Sequence, residues 1–179
     1  MEAYLRLKEN SERVFVIGNS FGSNLGLWLA KELNSDLAGI ITLGAPIFLR
    51  FHNFIKFRLF TYGKLKKYYK KPLRAYKADY TDMLDEVSYP VIPIKSLNEF
   101  ISFLEQETMP NLHKIKTPIL IASASVDPVI HPKSAKYIFE NIGSPKKEIF
   151  WFDSNRHNIV GKGCEGLFCK IYEFIKEIK

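Results

Sequence analysis

Cysteine is nearly absent from this chain, with two in 179 residues, Cys164 and Cys169, five positions apart. On a helix that spacing turns the thiols away from each other, and no histidine stands at metal-ligand spacing from them. They read as reduced thiols, which excludes a disulfide scaffold and a metal site built on cysteine. Long apolar runs are missing too, and none approaches the roughly 20 residues that a membrane-spanning helix needs. The first residues, MEAYLRLKENSER, lack the apolar core of an export signal, so a cytoplasmic address is expected. One shortage is local. Residues 47–77 hold ten Lys or Arg and not one Asp or Glu. The formal net charge of +7 comes entirely from that stretch, since the rest of the chain carries sixteen basic and nineteen acidic side chains.

What is present suits a single globular domain with a real core, at 46% hydrophobic and 25% charged residues. Residues 2–9 predict a short helix with Ala3, Tyr4 and Leu7 on one face. Residues 13–17 predict a strand of buried type, closed by Gly18, and 22–33 a helix with Leu25, Trp28, Leu29 and Leu33 recurring at three and four. Gly22 and Gly26, one turn apart, would let that helix approach a sheet closely. Further strands are expected at 37–43, 118–123 and 148–152, with helices at 133–141 and 164–178. Strands alternating with helices imply a parallel α/β sheet. Residues 47–112 break the rhythm, being basic, aromatic and largely helical in pattern. The expected organisation is therefore a core of 1–46 and 113–179 interrupted by an insertion at 47–112.

The chemistry is concentrated at three strand ends. Gly18-Asn19-Ser20-Phe21-Gly22 fits G-x-S-x-G between a strand and a helix. In that context the serine occupies a sharp, strained turn, and bulky residues in place of the flanking glycines would collide with their neighbours. A serine hydroxyl needs a base, and the base needs an orienting acid. Asp127 follows the strand at 118–123, and His157 follows the strand at 148–152, so both fall in loops opening on the side where parallel sheets bind ligands. His157 is the expected base. Asp127 is preferred to Asp153 as its partner, because Asp153 comes early in the His157 loop and suits a turn. His52, His113 and His131 are placed for packing or capping.

Taken together these segments resemble the α/β-hydrolase superfamily, and within it the small bacterial carboxylesterases related to monoacylglycerol lipases and the serine aminopeptidase S33 group. VIGNSFGS resembles the nucleophile elbow, TPILIASASVDPVIHP the acid loop, KEIFWFDSNRHNIV the histidine loop, and SYPVIPIKSLNEF the end of the cap. The resemblance runs from Ser11 to the C-terminus. It implies a partial α/β-hydrolase fold, a parallel sheet of about four strands with a helical cap at 47–112. It also implies cleavage of short- to medium-chain acyl esters or monoacylglycerols through an acyl-serine intermediate, with no metal or cofactor. The backbone N–H of Phe21 would be one oxyanion donor. Family members usually place about four strands before the elbow, and their loops bring the second donor.

Those strands have no counterpart here, so the edge at 13–17 is expected to be exposed and to recruit a second copy or a partner chain. A truncated reading frame, a split protein and a minimal self-pairing hydrolase would each account for this. A catalytically impaired or non-catalytic binding module is the alternative function. The insertion holds ten aromatics within 47–80. As a cap it would use them to line an acyl pocket, its cations forming either a solvated face or an attraction for anionic or membrane-borne substrates. Nucleic-acid binding is disfavoured, because no recognised module accompanies the charge.

Overall fold

Short stretches rich in aliphatic, β-branched and aromatic residues form the strands of one parallel sheet. In the computed structural model, which describes residues 1–62, 65–71, 89–154, 157 and 165–178, these are β1 (Phe15–Asn19) and β2 (Gly39–Leu43). After the insertion come β5 (Ile119–Ala124) and β6 (Lys147–Phe152). They pair in the order β1-β2-β5-β6, with Ile17 beside Ile41, Ile41 beside Leu120, and Ile121 beside Ile149. β2 and β5 are buried along their whole length, as their lack of polar alternation demands.

Alternation along each strand divides the core in two. Ile40, Ile119 and Ile121 face the layer formed by α2 (Phe21–Leu33) and α5 (Lys133–Asn141), meeting Leu27, Ala30, Ala135 and Ile138. Ile41, Leu120 and Ala122 face the opposite layer, α6 (Glu165–Glu177), and meet Leu167, Ile171 and Phe174. With helices on both faces, all four strands point their carboxyl ends the same way.

Two faces expected to be buried are not. α2 seats its small residues on the sheet, Ser23, Asn24, Gly26, Leu27 and Ala30, while Leu25 and Trp28 are exposed. A Cβ at Gly26 would stand 3.2 Å from Ile40 and 3.3 Å from Val16, so the close approach depends on that glycine. At Gly22 a Cβ would meet nothing within 4 Å, so the expected role in close approach falls to Gly26 alone. In α1 (Glu2–Lys8) only Tyr4 buries, its hydroxyl donating to the Asp36 carbonyl at 2.9 Å, and Leu7 is exposed. β1 is an edge among the described residues, pairing with β2 alone, and Ile17 is exposed on it.

Residues 47–112 contain helix, as the pattern predicts, and also a small antiparallel pair. α3 (His52–Tyr62) is followed by β3 (Tyr68–Lys70), which pairs with β4 (Val91–Pro93), and then by α4 (Ile94–Phe103). Beyond α4 the chain widens into a π turn at Leu104–Thr108. Pro110, two residues beyond it, has no N–H to donate back into that turn. Ile55 and Leu59 of α3 pack on Ile94, Leu97 and Ile101 of α4, giving the insertion its own small core. No helix among the described residues is long and apolar enough to cross a membrane. Cys169 is exposed, whereas Cys164, Tyr76 and Tyr80 lie outside the described residues.

The two-layer core makes a simple contrast testable. Phe174, buried in the α6 layer, should cost about 3–5 kcal/mol when changed to Ala. Leu25→Ala on the exposed face of α2 should stay within about 0.5 kcal/mol. Urea unfolding of both variants measures the difference.

Candidate active site

Where β1 hands over to α2, Ser20 adopts φ 51° and ψ −124°, a backbone conformation that L-residues rarely hold. Several contacts keep it there. The Ser20 N–H donates to the Leu43 carbonyl at 2.8 Å, tying the turn to the end of β2. One helical turn on, the Ser23 hydroxyl donates to the Gly18 carbonyl at 2.6 Å and accepts the Leu43 N–H at 3.1 Å. The Asn24 amide donates to the Pro46 carbonyl at 3.0 Å. Gly18 is indispensable to this turn, because a Cβ there would lie 2.4 Å from the Gly22 carbonyl oxygen. The expectation that both framing glycines are sterically required is thus corrected: Gly18 is, and Gly22 faces open space.

The three residues that the sequence placed at separate strand ends come together. Ser20 Oγ lies 2.9 Å from His157 Nε2, and His157 Nδ1 lies 2.9 Å from Asp127 Oδ2. Asp127 is buried, at 2% exposure, and its other oxygen accepts the N–H groups of Val129 at 2.7 Å and Ile130 at 2.8 Å. That leaves Oδ2 to receive the imidazole Nδ1–H. With its proton on Nδ1, His157 presents Nε2 as an acceptor for the serine hydroxyl. Asp153 is elsewhere, exposed and accepting the Ser125 hydroxyl at 3.1 Å. Phe21 begins α2, where backbone N–H groups have no acceptor within the helix.

The remaining histidines behave as bystanders. His131 Nδ1 accepts the Lys133 N–H at 3.1 Å at the start of α5, a capping role. His52 stands 3.7 Å from Glu105, and burial, with Lys56 alongside, pushes it below its ordinary value while Glu105 opposes. His113 is exposed in the turn before β5.

Three features of the site escape the sequence reading. Gly44, at φ 57°, ends β2 beneath the imidazole, and a Cβ there would lie 3.9 Å from His157 and 3.8 Å from Asp127. The Gly44-Ala45-Pro46 stop signal marks the turn but not what stands over it. Arg50 donates through Nε to the Asp127 main-chain carbonyl, and its own N–H donates to the Val129 carbonyl at 2.8 Å. Leu49 bridges Ile130, so the root of the insertion straps the acid loop. The Phe21 ring meets Phe100 at 5.1 Å and Phe103 at 5.4 Å, both edge-on, which joins α4 to the serine turn. Only contacts between segments distant in sequence reveal these three.

A parallel sheet carrying serine, aspartate and histidine in that order beyond its strand ends defines an α/β-hydrolase. The family described as serine aminopeptidase, S33, matches residues 2–162. The thermostable monoacylglycerol lipase of Bacillus sp. (strain H-257) is 31% identical over 157 residues, 87% of this chain and 59% of that protein. A carboxylesterase of Bacillus subtilis (strain 168) is 22% identical over 180 aligned positions, covering 99% of this chain and 70% of that protein. A solved structure from work on the metagenome-derived lipolytic enzymes LipS and LipT superposes with a TM-score of 0.81 at 23% identity. It covers 98% of this chain and 70% of its own. The chain belongs to the serine aminopeptidase S33 family of α/β-hydrolases, and it spans 59% of the length of the Bacillus monoacylglycerol lipase.

The two framing glycines should part company on substitution. Gly18→Ala should destabilise the fold by more than about 2 kcal/mol, since backbone must move to admit the methyl group. Gly22→Ala, in the first turn of α2, should be neutral or stabilising by up to about 1 kcal/mol. Thermal unfolding of the pair reads both outcomes.

Proposed function

We propose that this chain is a carboxylesterase-type serine hydrolase acting on short- to medium-chain acyl esters or monoacylglycerols. The observation that carries the reading is the continuous relay from Ser20 Oγ through the His157 ring to Asp127 Oδ2, with both links at 2.9 Å. The similarity to a monoacylglycerol lipase and a carboxylesterase supports the choice of ester.

The chemistry follows from the geometry. As Ser20 Oγ bonds to the ester carbonyl carbon, its proton passes to His157 Nε2. Asp127 holds the ring in the tautomer that can accept this proton and stabilises the resulting imidazolium. Negative charge gathers on the former carbonyl oxygen, toward which the Phe21 N–H at the positive end of α2 is available. Collapse of the tetrahedral species breaks the bond to the alcohol oxygen, which leaves with the proton from His157. A water then repeats the sequence on the acyl-serine, releasing the acid and restoring Ser20. In this reading residues 47–112 form the cap. Phe100 and Phe103 beside Phe21 supply apolar surface for the acyl chain, and Arg50 is a positioning residue acting through the Asp127 loop.

A fluorophosphonate probe should label wild type at Ser20, and Ser20→Ala should lose both the label and hydrolysis of p-nitrophenyl esters. A folded wild type that neither reacts with the probe nor hydrolyses these esters would defeat the reading.

Arg50→Ala should lower kcat about tenfold with KM little changed, because it frees the Asp127 carbonyl without touching substrate. Arg50→Lys should recover part of the loss, since a lysine can reach the same carbonyl with one hydrogen bond where the guanidinium has a rigid fork. Steady-state kinetics on a soluble ester distinguishes this from a simple folding defect, which would lower the active fraction of both variants without the lysine rescue.

A further inference from the structure

The aromatics of the insertion divide into two sets. Phe100 and Phe103 turn inward to Phe21, and Tyr69 is buried in the insertion's own core. Phe51, Phe54, Phe57 and Phe60 turn outward, at 69%, 55%, 61% and 84% exposure, which corrects the expectation that the insertion's aromatics as a group line an acyl pocket. At 100° per residue, positions 53, 54, 57, 60 and 61 share one sector of α3, opposite the Ile55 and Leu59 face that packs on α4. That outer sector contains three phenyl rings, Asn53 and Thr61, with no charged residue among them. Single exposed apolar side chains need no explanation, but a run of rings along one helix face does.

Cations flank this face on the helix and follow it along the chain. Arg58 lies over the Phe54 ring at 5.7 Å and the Tyr69 ring at 5.2 Å, while Lys56, on the other flank of the helix, is ion-paired with Glu105 at 2.5 Å. Lys67 and Lys70 follow in the strand segment, alongside exposed Leu65 and Tyr68. No Asp or Glu interrupts residues 47–77. Charge selects the occupant. Two copies of the chain meeting through this face would bring like charge to like charge, which costs association. The negative surface of an anionic bilayer complements it instead, with rings entering the boundary between headgroups and acyl chains while Lys and Arg stems reach the phosphates.

We propose that α3 docks the protein on an anionic lipid surface through Phe54, Phe57 and Phe60, with Arg58, Lys67 and Lys70 reaching the headgroups. The stacking order then has a consequence for supply of substrate. α3 packs on α4, and α4 packs through Phe100 and Phe103 on Phe21, the residue after Ser20. Docking sets the reactive serine behind two helix layers from a surface that contains acyl esters. The proposal concerns binding and does not require the serine chemistry, so the two stand or fall separately.

Co-sedimentation with vesicles tests it. Wild type should bind phosphatidylcholine vesicles containing about one third phosphatidylglycerol, and bind pure phosphatidylcholine far less. Raising the salt should release it, as screening weakens the electrostatic part. The triple variant F54S/F57S/F60S should lose about tenfold or more in vesicle affinity while keeping its thermal unfolding and its hydrolysis of a soluble ester. Lys67→Glu with Lys70→Glu should erase the preference for the anionic lipid. Ser20→Ala should bind vesicles as wild type does, which separates this proposal from the catalytic one. Absence of binding to the anionic vesicles would overturn it, as would equal binding by the triple variant. So would a lipid-free dimer, seen by sedimentation velocity, that the triple variant breaks, or loss of an RNA complex on the same substitutions without any vesicle binding.

Discussion

Ser20 has to be held at φ 51° and ψ −124°, a conformation costing about 1–3 kcal/mol, and much of the surrounding structure serves that constraint. Gly18 gives the turn its clearance, and the Ser20 N–H is anchored on β2. Ser23 satisfies backbone groups on both neighbouring strands from inside the helix. None of these contacts belongs to the serine hydroxyl, which is left free to meet His157. The strain is tolerable only because a parallel sheet lays several strand ends side by side, so that one end can brace another.

The same arrangement explains why Asp127 and His157 arrive beside Ser20. β5 lies next to β2 and β6 next to β5, so the loops that follow them open beside the serine turn. Asp127 is then locked from two directions: its side chain by the amides of Val129 and Ile130, its main-chain carbonyl by Arg50 from the insertion. The insertion is therefore tied to the site at both of its ends. One end of it straps the acid loop and the other, through Phe100 and Phe103, rests on Phe21. A displacement of this segment would be felt at the Asp127 loop and at Phe21, next to Ser20.

Much of the core, and the placing of Ser20, Asp127 and His157 beyond strand ends, was legible because these signals are local. A short apolar run bounded by turn residues reads as a strand wherever it sits, and Ser20, Asp127 and His157 each lie beyond such a run. The face of α2 was misjudged for a related reason. Leu25 and Trp28 have the right period for a buried stripe, yet the sheet takes the small-residue face, because Gly26 and Ala30 let the helix come close to Ile40 and Val16. Periodicity finds an apolar face. It does not say whether bulk or closeness decides which face is covered.

The sequence by itself determined a parallel α/β sheet, the serine turn, the chain order of Ser20, Asp127 and His157, and a basic aromatic insertion. Each of these depends on neighbours within a few residues, or on the period of a single element. Only the tertiary structure decided that Asp127 rather than Asp153 faces the imidazole, and that Arg50 binds the Asp127 loop. It alone turned Phe54, Phe57 and Phe60 outward while Phe100 and Phe103 turned in. These outcomes depend on distances between segments separated by tens of residues, and such distances exist only once the chain has folded.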